Sequence, residues 1–399
     1  MRTVAFILLW LYVFTLPWDY ILQFGDPFGS AGRVSGLLAL TGCIVLVVST
    51  ARMRGLQVFH IAAAAYLAIV ATSLLWATDP EESAHCVRVY VQSGMVVWVL
   101  WELGASQRSL FHLATAYVAG AFVAALSIFH NLSLATVALG AKEARFAADN
   151  WDANDIALVL SLAIPLAFYL ATKRIHWTST WLARGYLIAG PIAIVLTSSR
   201  SGMVVMVIAF SALPLFLRRQ AAGAKVMTGM VLACAACLAW NYAPQQSWDR
   251  LSTLFTSLRA GDLNGRESVW QNAMLGFGNN YLVGVGAGEF RAGLGSSLNA
   301  HNTFLEVLVE QGLVGFSVFS LLLGCVLRSV KHTKGEELKM CVLLFLCWSI
   351  GAFTLGWATN RVTWFVLGLI VSFGSAREQQ RLPDPESACD VSTLAAAAL

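Results

Sequence analysis

A histidine and a few arginines stand out from a sequence otherwise dominated by apolar residues. His301 and Asn302 open the run His301-Asn302-Thr303-Phe304-Leu305-Glu306-Val307-Leu308-Val309-Glu310-Gln311-Gly312-Leu313-Val314-Gly315, where a polar stretch gives way to an apolar one. An imidazole, with an unperturbed pKa of about 6.5, suits a proton acceptor at neutral pH. The same position also suits an interfacial helix cap, and no second histidine stands at helical spacing to form a metal site. Glu306 and Glu310 fall on one face of the helix that His301 opens. They could orient the imidazole, pair with an arginine or act as structural ion-pair members, and Asn302 stands beside the imidazole as a further supporting candidate.

Arg200 interrupts Thr197-Ser198-Ser199-Arg200-Ser201-Gly202 between two apolar runs, a connection so short that its guanidinium must lie at a membrane boundary. Ionisable groups are costly there and read first as functional. Arg266 stands in Gly265-Arg266-Glu267-Ser268-Val269-Trp270, within the longest polar stretch. Both offer the planar fork that grips a phosphate through paired hydrogen bonds. Arg88 and Arg361 lie near other span ends, where anchoring or pairing with Glu81, Glu82 or Glu306 serves equally well. The run Gly284-Val285-Gly286-Ala287-Gly288 lacks the Lys-Ser/Thr of a phosphate loop and reads as a tight turn. Asp149, Asp152 and Asp155 could hold a cation, but helix capping accounts for them as well. Taken alone, these residues define an anion site beside a base, with no cofactor and no metal.

The elements that must position them follow from composition. The chain has 399 residues, 58% hydrophobic and 12% charged, against about 25% charged in soluble domains. That composition, with apolar runs of about 20 residues, indicates a polytopic membrane protein and excludes a soluble enzyme, a disordered chain or a secreted disulfide scaffold. Seven of the eight cysteines lie in or beside apolar runs and Cys389 lies near the C-terminus, so packing is their expected role, including the C-x-x-C of Cys234 and Cys237.

Twelve helical spans are expected, centred on 4–22, 34–49, 56–76, 86–101, 110–130, 155–171, 182–196, 201–217, 225–242, 302–327, 338–355 and 362–374. The first resembles a signal peptide but lacks a convincing small-residue cleavage site, and Trp18 and Tyr20 look like interface anchors. With the N-terminus inside, every inner loop is basic, which places both termini in the cytoplasm; nothing argues for nucleic acid. The expected organisation is an all-α chain with nine spans in 1–242, a large outer loop in 243–300 ordered by packing against the spans, three spans in 301–374 and a disordered cytoplasmic tail in 375–399.

At His301 a family pattern emerges. His301-Asn302, nine residues, Gly312, two residues and Gly315 resemble the H-[NSQ]-x9-G-x-x-G signature of the O-antigen ligase family, placed in the long outer loop before the tenth span. Asn154 to Pro165 resembles that family's Asn-then-apolar-to-Pro span, Ser199-Arg200-Ser201 its arginine turn, Arg266 to Trp270 its loop arginine and Leu282 to Phe290 its glycine-rich approach. The resemblance implies a GT-C-like, metal-independent, inverting glycosyltransferase of the bacterial inner membrane, working at the periplasmic face. It would move glycan from undecaprenyl diphosphate to a lipid A-core hydroxyl, with His301 as general base and Arg200 and Arg266 on the diphosphate. A polymerase of the same superfamily is the alternative. A transporter or flippase of a lipid-linked or anionic solute is a second one, disfavoured because charge clusters at the outer face and no inverted repeat is evident.

Overall fold

The structure, a computed structural model, describes residues 1–25, 28–139, 145–173, 175–218, 220–243, 245–252, 266–292 and 301–379. Among the described residues it is built from helices, with a single isolated antiparallel bridge between Gln23 and Ser30 and no strand. Outside the expected outer loop, its main helices run Arg2–Thr15, Ala31–Thr50, Val58–Thr72, Pro80–Leu103, Gln107–Leu139, Ala153–Lys173, Trp177–Leu196, Arg200–Ser211, Ala222–Tyr242, Thr303–Val330, Gly335–Ala352 and Arg361–Gln379. Each overlaps an expected span. Seven segments of the described chain are long and apolar enough to cross a membrane: Ala31–Thr50, Val58–Leu75, Gln107–Leu134, Ala153–Lys173, Trp177–Leu196, Arg200–Leu217 and Thr303–Val330. Large apolar side chains such as Leu75 (85% exposed), Val48 (75%) and Trp177 (76%) point outward, which water would penalise and lipid does not.

Ala153–Lys173 lies at the centre, with 83% of its apolar window buried. Gly202 lets the helix that Arg200 opens approach it closely, because a Cβ there would strike Ala157, and Ser161 donates to the Gly202 carbonyl at 3.2 Å. At the end carrying the basic loops, Lys173 pairs with Glu337 at 2.9 Å. There Arg54 also donates to Ser375 Oγ at 2.9 Å while stacking 3.6 Å over the Trp101 ring. At the opposite end, Arg361 pairs with Asp19 at 2.7 Å.

Some boundaries differ from expectation. The helix expected to end near His130 continues to Leu139; at 1.5 Å per residue it is about 50 Å long, more than the roughly 30 Å hydrocarbon core. It therefore supplies backbone order to the first part of the expected 131–154 loop. The last helix continues past residue 374 to Gln379, and the remainder of the expected tail, Cys389 included, lies outside the described residues. The other seven cysteines form no disulfide among the described residues; Cys43, Cys86, Cys341 and Cys347 are buried, Cys325 is partly buried, and Cys234 and Cys237 are exposed. Within the expected large loop, Gln245–Ser252, Arg266–Asn279 and Glu289–Ala292 are helical, while residues 253–265 and 293–300 lie outside the described residues. What packs the loop is a small apolar cluster of Val269, Ala273 and Phe290 against Val309 of the helix that follows His301.

Candidate active site

His301 has a left-handed backbone, φ 48°, sparsely populated for a residue with a Cβ. Asn302 then caps the helix, its side-chain oxygen accepting from Phe304 N at 3.0 Å and Leu305 N at 3.1 Å, two donors that a helix start otherwise leaves unpaired. Thr303 locks this start in place: its hydroxyl donates to the Leu355 carbonyl at 2.7 Å and accepts from Trp357 N at 2.8 Å. The cap reading of this motif is thus satisfied by Asn302, which leaves the half-buried His301 just before the helix.

Nine residues beyond Asn302 plus one, the helix breaks. Gly312 has φ 64° and ψ −168°, and the Gly284 segment runs through the break. Val285 N and Gly286 N donate to the carbonyls of Val309 and Glu310, each at 3.0 Å, while Leu313 N and Val314 N donate to the carbonyls of Tyr281 and Leu282 at 2.9 and 3.1 Å. Irregular backbone at membrane depth is tolerated only when its polar groups find protein partners, and here every freed group named finds one. A Cβ on Gly312 would strike the Leu282 carbonyl, and one on Gly284 would strike that of Glu310. The glycine-rich run, expected as a tight turn, is therefore a splint across a broken helix. It is fastened further by Ala287 N to Ser73 Oγ at 3.0 Å, Phe290 N to Glu310 Oε1 at 3.3 Å, and Asp79 N to Glu289 Oε1 at 2.5 Å.

Arg200 sits on a turn of comparable strain. Ser198 has φ 53°; its hydroxyl lies 2.6 Å from that of Ser247, which also donates to the Val195 carbonyl at 3.0 Å. Ser199 caps the helix, accepting from Gly202 N at 3.3 Å, and donates to Asn154 Oδ1 at 2.9 Å. The same oxygen accepts from Arg145 at 2.7 Å, and Arg145 Nε donates to the Thr197 carbonyl at 2.9 Å. Arg145 is thus a second guanidinium at the Arg200 turn, one that sequence reasoning did not single out. Its signal was a cation in an outer loop, where positive charge is disfavoured.

The His301 and Arg200 helices are joined. Trp357, whose amide holds Thr303, donates through its indole to Asp155 Oδ1 at 2.8 Å, and Asp155 follows the Asn154 that receives Ser199 and Arg145. Asp152 caps this helix, accepting from Asn154 N at 2.7 Å and Asp155 N at 3.4 Å. Asp149 accepts from Asn131 at 2.9 Å. Each acidic residue of the candidate cation cluster thus has a protein donor, and among the described residues no group of three or more potential metal ligands is present.

The remaining candidates are placed as follows. The backbone of Arg266 begins the helix that packs on Val309. Glu306 is buried with its carboxylate against Gly356, and Glu310 braces the glycine-rich splint. Arg361 reaches Asp19 and, at 3.4 Å, Gln92; Asp19 was not among the acids considered for it. Arg88 is exposed and bonds the Ala84 carbonyl of its own helix. His85 and His130 are exposed.

Two apolar cavities of about 500 and 420 Å³ lie between the helices Trp177–Leu196, Arg200–Ser211 and Ala222–Tyr242. They share Phe210 and Leu232, and form a trough from Trp181 and Arg184 at one end to Val195 and Trp248 at the other. Along the flanking helix this is about 21 Å at 1.5 Å per residue, and its upper end adjoins the Ser198 turn.

Residues 185–320 match the family model described as O-antigen ligase, a stretch that contains Arg200, Arg266, His301, Asn302, Gly312 and Gly315. The match supports the resemblance drawn from the motif, and with it a place in the O-antigen ligase and polymerase superfamily of glycosyltransferase-like membrane enzymes. No curated protein matches the chain.

Proposed function

We propose that this chain transfers a glycan from undecaprenyl diphosphate to a hydroxyl of a lipid A-core acceptor, at the outer face of the bacterial inner membrane. The observation that carries the reading is the hydrogen-bonded path Thr303–Trp357–Asp155, which holds the residue after the Asn302 cap and the segment beside Arg145 and Ser199 in one frame. In this reading the chain crosses the membrane twelve times with both termini in the cytoplasm, and the path lies at the periplasmic end.

The donor's tail would lie in the trough beside Trp248 and its diphosphate at the Ser198–Arg200 turn. Arg200, with Arg266 from the outer loop, neutralises charge that grows on the diphosphate as the glycosidic bond breaks. His301 takes the proton of the acceptor hydroxyl. The acceptor oxygen bonds to the anomeric carbon, the old carbon–oxygen bond breaks, and its electron pair leaves with the diphosphate, so displacement from the opposite face inverts the centre. Positioning and electrostatics suffice for this step, because the donor is already activated; no metal enters it.

The test is reconstitution of the purified protein with lipid-linked glycan and lipid A-core, with the products separated by gel. Glycan on lipid A-core is the expected result. Lengthened glycan still on the polyprenyl carrier would instead make the protein a polymerase, and movement of intact donor across the bilayer without transfer would make it a flippase.

A further inference from the structure

The end of the bundle that holds His301 has a second lateral opening, away from the trough beside Arg200. It lies between Arg2–Thr15, Ala31–Thr50 and Pro80–Leu103, encloses about 50 Å³, and has Arg33, Gln92 and Arg361 in its wall together with apolar Leu37, Met95 and Val96. Leu37 is 55% and Met95 41% exposed, so the cleft opens sideways to lipid. Arg361 is held by Asp19 and Gln92, and Asp19 also accepts from Gly32 N at 2.6 Å. Among the described residues two guanidinium groups stand against one carboxylate there, which leaves the mouth positive. Tyr12 also lines the cleft; its side chain is buried, and its hydroxyl has no hydrogen-bond partner among the described residues, a cost that a ligand oxygen would remove.

An apolar wall beneath a cationic, hydrogen-bonding mouth suits an amphiphile with a phosphate head. Its place narrows the choice. Arg361 lies four residues after Trp357, which holds Thr303, and Asn150 ties this same end to the Arg200 side by donating to the Tyr20 carbonyl at 3.2 Å. In the proposed function the trough at Arg200 takes the donor's tail, and this cleft opens between different helices.

We propose that the Arg33–Arg361 cleft seats the phosphate-bearing acyl lipid that carries the acceptor sugar, with a phosphate on Arg33 and Arg361 and a chain along Leu37, Met95 and Val96. This rests on reading the chain as a transferase with a lipid-borne acceptor, but its test reads binding and needs no turnover. Purified full-length protein is mixed with lipid A-core, phosphatidylglycerol or phosphatidylcholine, and retained lipid is measured by native mass spectrometry. Arg33 is exposed, so Arg33→Ala should fold normally, with thermal unfolding as the check. Wild type should retain one lipid A-core, and Arg33→Ala should lose about tenfold in retention, with Tyr12→Phe as a second, independent variant also weakened. Binding of lipid-linked glycan should be unchanged in both.

Unchanged lipid A-core retention in Arg33→Ala and Tyr12→Phe would overturn the proposal. So would equal retention of phosphatidylglycerol, which would make the cleft a general anionic-lipid site, or a matching loss of donor binding. If reconstitution shows no transfer while lipid A-core is retained through Arg33, the activity fails and the site stands.

Discussion

The indole of Trp357 donates to Asp155 at 2.8 Å, across 202 positions of sequence, and the backbone amide of the same tryptophan donates to Thr303. One residue thereby fixes the start of the His301 helix against the segment that receives Ser199 and Arg145. Trp357→Phe removes the donor while leaving a ring in a buried site. If relative placement of base and arginines sets the rate, kcat should fall by about tenfold to a hundredfold with KM for both substrates little changed. Asp155→Asn, which keeps an acceptor oxygen, should retain most activity. A Trp357→Phe enzyme with wild-type kcat would reduce the contact to packing.

His301→Ala should lose on the order of 10² to 10⁴ in rate. The helix cap belongs to Asn302 and the clamp to Thr303, so thermal unfolding should move little. The exposed His85 and His130 provide alanine controls expected to stay active. Ordinary transfer by His301→Ala would end its assignment as base.

For the arginines, geometry and charge separate. Lysine keeps the charge and loses the fork, so Arg200→Lys and Arg266→Lys should be impaired nearly as badly as the alanine variants, with weakened donor binding and unaltered acceptor binding. Wild-type behaviour of both lysine variants would leave only diffuse positive charge or anchoring.

Gly312→Ala places a Cβ on a backbone at φ 64° and against the Leu282 carbonyl. Left-handed strain alone is worth on the order of 1–3 kcal/mol. Thermal unfolding in detergent should shift clearly downward, and Gly284→Ala should do the same from the other strand of the splint. Adding both should cost less than their sum, because each displaces the same backbone contact; full additivity would argue against a shared splint.

Transfer should survive exhaustive EDTA treatment. Asp149, Asp152 and Asp155 each already accept from a protein donor, and arginine supplies the positive charge. Activity lost with EDTA and restored by Mg²⁺ or Mn²⁺ would move the electrophilic role to Asp152 and Asp155.

Apolar run length was enough to place helices along the chain, because burial in lipid demands long apolar segments whatever their neighbours. The spacing from His301 to Gly312 and Gly315 was likewise legible, since it is local, but the break at Gly312 inside the expected 302–327 span was not. What lay beyond the sequence depends on contacts between distant segments. The Gly284 run was read as a turn because its partners, the freed groups around Gly312, become partners only once the two backbones meet. Arg361 found Asp19 and not the nearer-looking glutamates, because helix packing decides which charges share a desolvated corner. Arg145 joined Ser199, the residue before Arg200, through Asn154 for the same reason. Residue types set what chemistry was available; the three-dimensional packing of helices far apart in sequence decided which of those residues act together.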